Sequence, residues 1–572
     1  EGVKKTVVLA EEPEKYASDL GRFAGNAVLR SRDELPATLR EVEQIPGVTV
    51  IIYDQECAAE KRRKRSRGQL AEPTIRLVIH EEVCEGCGDC VKQSNCMSLQ
   101  PVATELGQKI RIHQSSCNKD YTCAMGDCPS FMTVRIKAGT GLKKRSLPAL
   151  PTADVPLPRN RVRAGDGYRI LAPGIGGTGV VTISALLATA AWIDDLHVAT
   201  LDQTGTAQKG GAVVSHLLIS EKPIAAPAKI NTANADLILG FDLIGASNPE
   251  HLKTASPDRT IAVINTNVAP TIDSIRNRTP IAGPERMLDL LNVVTVRGRN
   301  LVIDGGRLAE GLFGTHMAVN LFLTGAAYQA GLIPISPEAI TEAIQLNGIE
   351  IEKNLMVFAW GRKYYEDAAW VEQQIAPREK KDTAPFDRAA ELRAYQNDAY
   401  AREYTDFLAG IENLALREVA ARYLYKLMAY KDEYEVARLL TKPSLEQQWE
   451  APESISYNLH PPLLRRFGLK KKIRIGRTPL TLLKKLKFLR GTAFDPFGYS
   501  AHRREERSLI AWYRDLINQV KSFEDVTLAL EIASIPDQIR GYEKIKEGNI
   551  ARAKQCAAEK LANSQVSNLR GD

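Results

Sequence analysis

Cys84, Cys87 and Cys90 stand at two successive steps of three, a spacing that brings three thiolates around one corner of an iron–sulfur cluster, and Cys96 closes this first run. In the bacterial two-cluster motif the fourth cysteine of each run ligates the other cluster, and the closing run ends in Cys-Pro. Cys128-Pro129 supplies that ending, so Cys84, Cys87, Cys90 and Cys128 are expected to hold a [4Fe–4S] cluster. The second run is less regular: Cys117 and Cys123 lie six apart, and the position midway is Asp120. Cys96, Cys117 and Cys123 then form a second site with Asp120 in place of the fourth thiolate. A [3Fe–4S] cluster is expected there, or a [4Fe–4S] cluster with a labile iron held by carboxylate or water, because oxygen is the harder ligand. Zinc is the alternative, although structural zinc sites usually take separated pairs of ligands rather than three thiolates at steps of three. Disulfides are disfavoured, since no secretory signal is present and Cys57 and Cys556 stand outside the cluster segment as ordinary thiols.

A second feature with chemical potential is Gly174-Ile175-Gly176-Gly177-Thr178-Gly179, which follows a strand at Tyr168 to Ala172 and opens a helix near Val180. That context suits a phosphate-binding turn. The next strand ends at Asp202, where a dinucleotide fold places its ribose acid, so NAD is one reading. The other is that the glycines only permit a tight turn and close packing of helix on sheet. Thr204 to Gly211 adds a second loop at the same sheet edge, with Gln208, Lys209, Gly210 and Gly211 as candidate cofactor contacts beside Gly174, Gly176, Gly177 and Gly179. His216 and His316 stand near this cleft and are read as structural histidines rather than ligands.

The elements that must position these residues form a multidomain α/β protein, because 572 residues exceed one ordinary core. Residues 1–70 alternate strand (Thr6 to Leu9), helix (Asp33 to Glu43) and strand (Val48 to Tyr53), as a piece of a parallel α/β domain would. The basic run from Lys61 to Arg67 reads as a solvated linker. The cysteine segment occupies 71–140, and a Pro-rich linker 141–163. A doubly wound α/β domain spans 164–375, with strands at Val198 to Leu201, Ala235 to Gly240, Thr260 to Asn265 and Val293 to Val296. Residues 376–572 are mostly helical, with apolar residues at helical spacing over Leu414 to Leu440 and Ser508 to Ala533; the basic, Leu-studded stretch Lys470 to Arg490 reads as a surface helix with one buried face. Hydrophobic residues make up 44% and charged residues 25%, which excludes disorder. A net charge of +7 against 76 basic and 69 acidic residues gives no pointer to nucleic acid. No apolar run reaches the roughly 20 residues that span a bilayer, and a cytoplasmic protein is expected.

Taken in order, these parts resemble the fused 2-oxoacid:ferredoxin oxidoreductases, in particular bacterial indolepyruvate ferredoxin oxidoreductases. The resemblance is carried by Tyr53 to Arg63, the Cys84 to Cys128 segment, the loops Gly174 to Gly179 and Gln208 to Gly211, Leu346-Asn347-Gly348, Trp360-Gly361-Arg362, Leu427 to Tyr434 and Phe494 to Tyr499. It implies thiamine-dependent decarboxylation of an aryl pyruvate, transfer of the acyl group to CoA, and passage of two electrons through iron–sulfur clusters to ferredoxin. It further implies that residues 1–70 end a thiamine pyrophosphate-binding domain, that 71–140 are ferredoxin-like and that 164–375 are the gamma domain. No Gly-Asp-Gly with an Asn some thirty residues later is found; Gly165-Asp166-Gly167 precedes the gamma-like strand and reads as linker. The thiamine pyrophosphate and magnesium site is therefore expected mostly outside this chain, on an N-terminal part or subunit, and the chain alone should not decarboxylate. A homo-oligomer is also expected. Two other readings stay open: a non-catalytic electron-transfer module, and an NAD-linked iron–sulfur oxidoreductase.

Overall fold

The computed structural model describes residues 2–18, 20–23, 25–138, 155–205, 211–268, 274, 283–375, 386–442, 452–459 and 472–569. Residues 1–72 form one compact unit and residues 73–572 another. In the first, β1 (Val3–Ala10), β2 (Ala27–Ser31) and β3 (Val48–Asp54) make a parallel sheet in the order β2-β1-β3. Val7 to Ala10 are fully buried, as a central parallel strand requires. A capping box of Ser31 and Glu34 starts the turn that leads into the helix Leu35–Glu43. The expected linker at Lys61 to Arg67 is instead mostly helix, Ala58–Ser66. Its charges are offset locally: Lys61 lies 2.5 Å from Glu11, Arg63 lies 2.7 Å from Glu60, and Lys64 contacts Glu56.

The second unit opens with β4 (Ile75–Ile79), a hairpin of β5 (Leu99–Thr104) and β6 (Gly107–Ile112), and β7 (Phe131–Ile136). The next sheet comprises β8 (Tyr168–Ile175), β9 (His197–Thr204), β10 (Ala212–Ser220), β11 (Leu237–Gly240), β12 (Ile261–Asn265) and β13 (Leu301–Ile303), in the order β13-β12-β11-β8-β10-β9. Strands β8, β11, β12 and β13 are parallel, whereas β10 runs antiparallel between β8 and β9. The sheet is thus mixed rather than uniformly wound. Its faces are covered by apolar helices such as Val180–Ile193 and the wholly buried Val319–Gln329. The strand expected at Val293 to Val296 is not one: the helix Pro284–Val294 runs through Val293 and Val294, burying Met287 and Leu291 one helical turn apart.

Beyond residue 386 the helices include Arg388–Tyr395, Asp398–Ala409, Leu414–Met428, Glu433–Leu440, Ala501–Val520 and Val526–Ala533. Asp387, Asn397, Asn413, Asp432, Ser500 and Asp525 cap them in turn, each side chain accepting a backbone N–H of the first turn. Leu416, Leu424, Tyr513, Ile517, Ile532 and Ile550 form their shared core. The region also contributes β14 (Pro452–Leu459) and β15 (Ile473–Ile475), which extend the sheet of the cysteine segment in the order β15-β14-β7-β4. Of the basic stretch Lys470 to Arg490, the part from 472 comprises β15, the short helix Arg477–Leu483 and a 3-10 turn, with Leu480 buried and Leu482 and Phe488 exposed.

Candidate metal centres

The Cys84 to Cys90 loop leaves β4 through His80, whose N–H donates to the Ser130 carbonyl at 2.8 Å and whose carbonyl accepts the Cys84 N–H at 2.8 Å. Gly86 has φ +62, and a Cβ there would lie 2.1 Å from the Gln108 carbonyl oxygen, so only glycine lets the loop fold against the hairpin. The Gly86 N–H donates to Cys84 Sγ at 3.3 Å. Cys90 sits on the short helix Asp89–Ser94, and Cys128 precedes β7 with its Sγ 3.0 Å from Ser130 Oγ. Burial pushes the Cys90 thiol far above the ordinary range, and Cys128, Cys84 and Cys87 raise it further, with Cys123 contributing least. Burial likewise lifts Cys128 to about 12, with Cys87 and Cys84 as its nearest charged neighbours, and Cys87 to about 11. These four thiols therefore act on one another as a set.

The remaining thiols form a second set. Cys96, Cys117, Asp120 and Cys123 line one cavity with Leu77, Leu99, Ile112 and Tyr121. Burial raises the Cys123 thiol strongly, and Cys117, Cys96 and Asp120 add to the shift in that order. Asp120 is exposed at the rim, where its Oδ1 accepts from the Thr122 N–H at 3.1 Å and from Thr122 Oγ1 at 2.9 Å. The Lys119 N–H donates to Cys117 Sγ at 3.4 Å. Thiols whose burial favours the protonated form need a cation to become thiolates, and N–H···S contacts tune a cluster's potential. Both sets fit iron–sulfur chemistry on that ground.

Residues not singled out as site residues enclose the first set from the helical region. Buried Lys431 donates to the carbonyls of Val83 at 3.2 Å and Cys84 at 3.3 Å, and pairs with buried Glu85. Burial alone would raise the Glu85 carboxyl, but Lys431 and Lys109 overcome it and hold the group far below the usual range. Arg540 donates to the Glu85 carbonyl at 3.2 Å, Tyr542 donates to the Val83 carbonyl at 2.5 Å, and a Cβ on Gly541 would lie 3.3 Å from Cys87 Cβ. Lys472 donates to the Cys128 carbonyl at 2.9 Å and the Ala124 carbonyl at 3.1 Å. The stretch read as helical from Leu414 to Leu440 is broken at Ala429 to Asp432, and that break presents Lys431, which no signal in the sequence marked.

In the gamma-like domain Gly174 ends β8 under the following helix; a Cβ there would lie 2.5 Å from Val180 Cγ2 and 3.2 Å from Phe241 Cβ. Gly176 donates to the Gly211 carbonyl at 2.7 Å, and the Thr178 carbonyl accepts from Asn320 at 3.2 Å. Gly177 and Gly179 have positive φ beside open space. Gln208, Lys209 and Gly210 lie outside the described residues. Asp202 is on β9, separated from β8 by β10, and accepts a hydrogen bond from Ser215. The adjacent parallel strands that an NAD reading requires are not built. His216 is buried in β10 with Nδ1 accepting from the Ile230 N–H at 3.3 Å, a structural role.

Residues 169–364 match the family described as pyruvate ferredoxin/flavodoxin oxidoreductase. The indolepyruvate oxidoreductase subunit IorB of Methanothermobacter thermautotrophicus is 26% identical over 201 residues, covering 34% of this chain and 95% of the relative. The subunit of the same name from Archaeoglobus fulgidus is 27% identical over 178 residues, covering 31% and 83%. About a third of the chain is thus similar to the indolepyruvate oxidoreductase IorB subunits and to the pyruvate ferredoxin/flavodoxin oxidoreductase family. Both named relatives are oxidoreductase subunits. Among solved structures, the chain is similar to pyruvate oxidoreductase subunit PORC of Thermotoga maritima (TM-score 0.26, 19% identity, 35% of this chain and 96% of that one). The gamma subunit of a keto/oxoacid ferredoxin oxidoreductase from Geobacter sulfurreducens gives 0.25, 18%, 35% and 98%. Residues 384–559 match a family of unknown function, DUF6537. Among the described residues no helix is long and apolar enough to cross a membrane.

Proposed function

We propose that this chain is the iron–sulfur and gamma part of a thiamine-dependent aryl-pyruvate:ferredoxin oxidoreductase acting on indolepyruvate. The overall reaction takes an aryl pyruvate, CoA and two oxidised ferredoxins to an aryl-acetyl-CoA, carbon dioxide, a proton and two reduced ferredoxins. What supports the reading is that Cys96, Cys117, Asp120 and Cys123 line one cavity, while Cys128, Cys84 and Cys87 act chiefly on the buried Cys90 thiol. Iron–sulfur clusters, when bound, accept and release electrons singly, which suits transfer to a one-electron carrier.

Cys84, Cys87, Cys90 and Cys128 hold the [4Fe–4S] cluster in this proposal; Cys96, Cys117 and Cys123 hold the second, with Asp120 beside its fourth position. Lys431, Arg540 and Lys472 fix the loops that present the first set. The gamma-like turn at Gly174, Gly176, Gly177, Gly179 and Gly211, with Gln208, Lys209 and Gly210, contacts CoA or the thiamine diphosphate held by a partner. Residues 1–70 belong to that thiamine-binding half, so activity needs the N-terminal part, and the assembly is a cytoplasmic homo-oligomer.

The test combines the anaerobically purified chain with its thiamine-binding partner, thiamine pyrophosphate, magnesium, CoA and indolepyruvate, and measures indoleacetyl-CoA and ferredoxin reduction. Formation of both supports the reading. A correctly assembled, iron-replete complex inactive with several aryl pyruvates would overturn it. Reversible cluster reduction without acyl-CoA formation would mark a pure electron-transfer module.

A further inference from the structure

Away from the cysteine sets, three ligand-bearing side chains converge between the cysteine segment and the gamma-like domain. His113 follows β6, Glu310 lies on the helix Gly305–Phe313, and His316 opens the 3-10 helix His316–Ala318. Gly314, with φ +66, donates to the Glu310 carbonyl at 3.0 Å and turns the chain out of the helix just before His316. One donor atom from each of the three lies within 4.8 Å of the other two. His113 Nε2 contacts Glu310 Oε1, and the two imidazoles meet edge-on with centroids 5.6 Å apart.

The surroundings orient these donors. His113 Nδ1 is 2.8 Å from Ser116 Oγ, which is 2.9 Å from Ser98 Oγ, so the ring is fixed with Nε2 toward the carboxylate. A metal-bound imidazole characteristically has its second nitrogen held this way. Ser115 Oγ lies 3.0 Å from Glu310 Oε1 and 3.2 Å from His316 Nδ1, inside the same cluster. A partly exposed His–Glu contact of modest strength accounts for His113 and Glu310 without a metal. It does not account for a second imidazole brought into the same space from the far end of the helix. Two imidazoles and a carboxylate suit zinc or a similar borderline divalent ion: thiolate-seeking copper(I) prefers sulfur, while calcium and magnesium prefer all-oxygen sites. Such an ion binds these donors at about 2.0–2.2 Å.

We propose that His113, Glu310 and His316 form a zinc-class divalent metal site, distinct from the cysteine centres, that cross-links the cysteine segment to the gamma-like domain. Three protein ligands leave a fourth position for water or Ser115. The proposal is independent of the reaction assigned above.

The test uses the full chain, purified anaerobically with its iron in place, dialysed against zinc chloride and then against zinc-free buffer. Zinc content is measured by mass spectrometry and the zinc environment by X-ray absorption. One zinc per chain is expected, with nitrogen and oxygen neighbours at about 2.0–2.1 Å and no sulfur shell at about 2.3 Å. Retained zinc should fall at least tenfold in both Glu310→Gln and His316→Gln, with iron and sulfide contents unchanged. No retained zinc in the unaltered chain, a sulfur shell around it, or retention unaffected by either substitution would overturn the proposal. The unaltered chain's own absorption spectrum decides even if a variant misfolds.

Discussion

Asp120 stands where a two-cluster motif has a cysteine, and its carboxylate is held at the rim of the cavity by Thr122. An oxygen ligand binds an iron corner less firmly than a thiolate does, so Asp120→Cys should add about one tightly held iron per chain. Low-temperature EPR of the oxidised protein reads this directly: loss of a three-iron signal fits, and an unchanged spectrum with unchanged iron does not. Lys431 makes a different argument. With Lys431 and Glu85 both buried, removing the lysine breaks the pair and leaves Lys109 as the main cation near the carboxylate, a change that typically costs about 3–5 kcal/mol. Lys431→Met should thus lower the thermal midpoint sharply, and adding Glu85→Gln should recover most of the loss. In whatever protein survives, losing a nearby cation should make the first cluster harder to reduce, as a potentiometric titration would show. If the double variant is no better than the single, the buried pair is not what matters.

At the level of elements, β14 pairs with β7 up to Tyr457 and with β15 from Tyr457 to Leu459, so Tyr457 is flanked by a strand on both sides. A proline there removes a donor from a central strand. Tyr457→Pro should accelerate loss of iron and sulfide in air several-fold, with the gamma-like domain still folded by circular dichroism; equal rates would show that the strand is dispensable to the centres. His216 gives β10 a pH dependence. Burial lowers it to about 4, against about 6.5 for an open histidine, with His251 and Lys229 adding to the shift and Asp202 opposing it. The unfolded chain then binds the extra proton between those values, and stability is lost as pH falls from about 6.5 to about 4. A thermal midpoint flat over that window, or a fall undiminished in His216→Gln, would exclude the histidine.

These elements also mark where the sequence was readable. The spacing of Cys84 to Cys128 marks the candidate centres, and β1, β3 and the helices Leu414–Met428 and Ala501–Val520 follow apolar periodicity. Val293 and Val294 misled because β-branched residues at the end of a helix look locally like a strand. The place of β10 was hidden for another reason: strand order is a long-range property, and no local signal says that an antiparallel strand will come between Asp202 and the glycine turn. The same holds for β14, whose partner β7 is separated from it by the whole gamma-like domain.

Across the whole molecule, the helical region is the wall of the first cysteine centre as well as a domain of its own. Lys431, Arg540 and Tyr542 all bond to backbone carbonyls between Val83 and Glu85, and Lys472 to that of Cys128. Burial by these side chains should shield the first centre more than the second, whose Asp120 lies exposed. Ferricyanide or oxygen should therefore destroy the second cluster's signal first; simultaneous loss would contradict the asymmetry.

The bond from Tyr542 to Val83 joins residues 459 positions apart. A ribosome adding about 5–20 residues per second needs roughly 20–90 s to travel that distance. For most of that interval the four thiols of the first centre are already synthesised while Arg540 and Tyr542, the last side chains to close over them, do not yet exist. The nascent chain thus keeps an open cysteine loop accessible to a cluster donor, and synthesis of the Arg540 to Tyr542 segment is the event that shuts it.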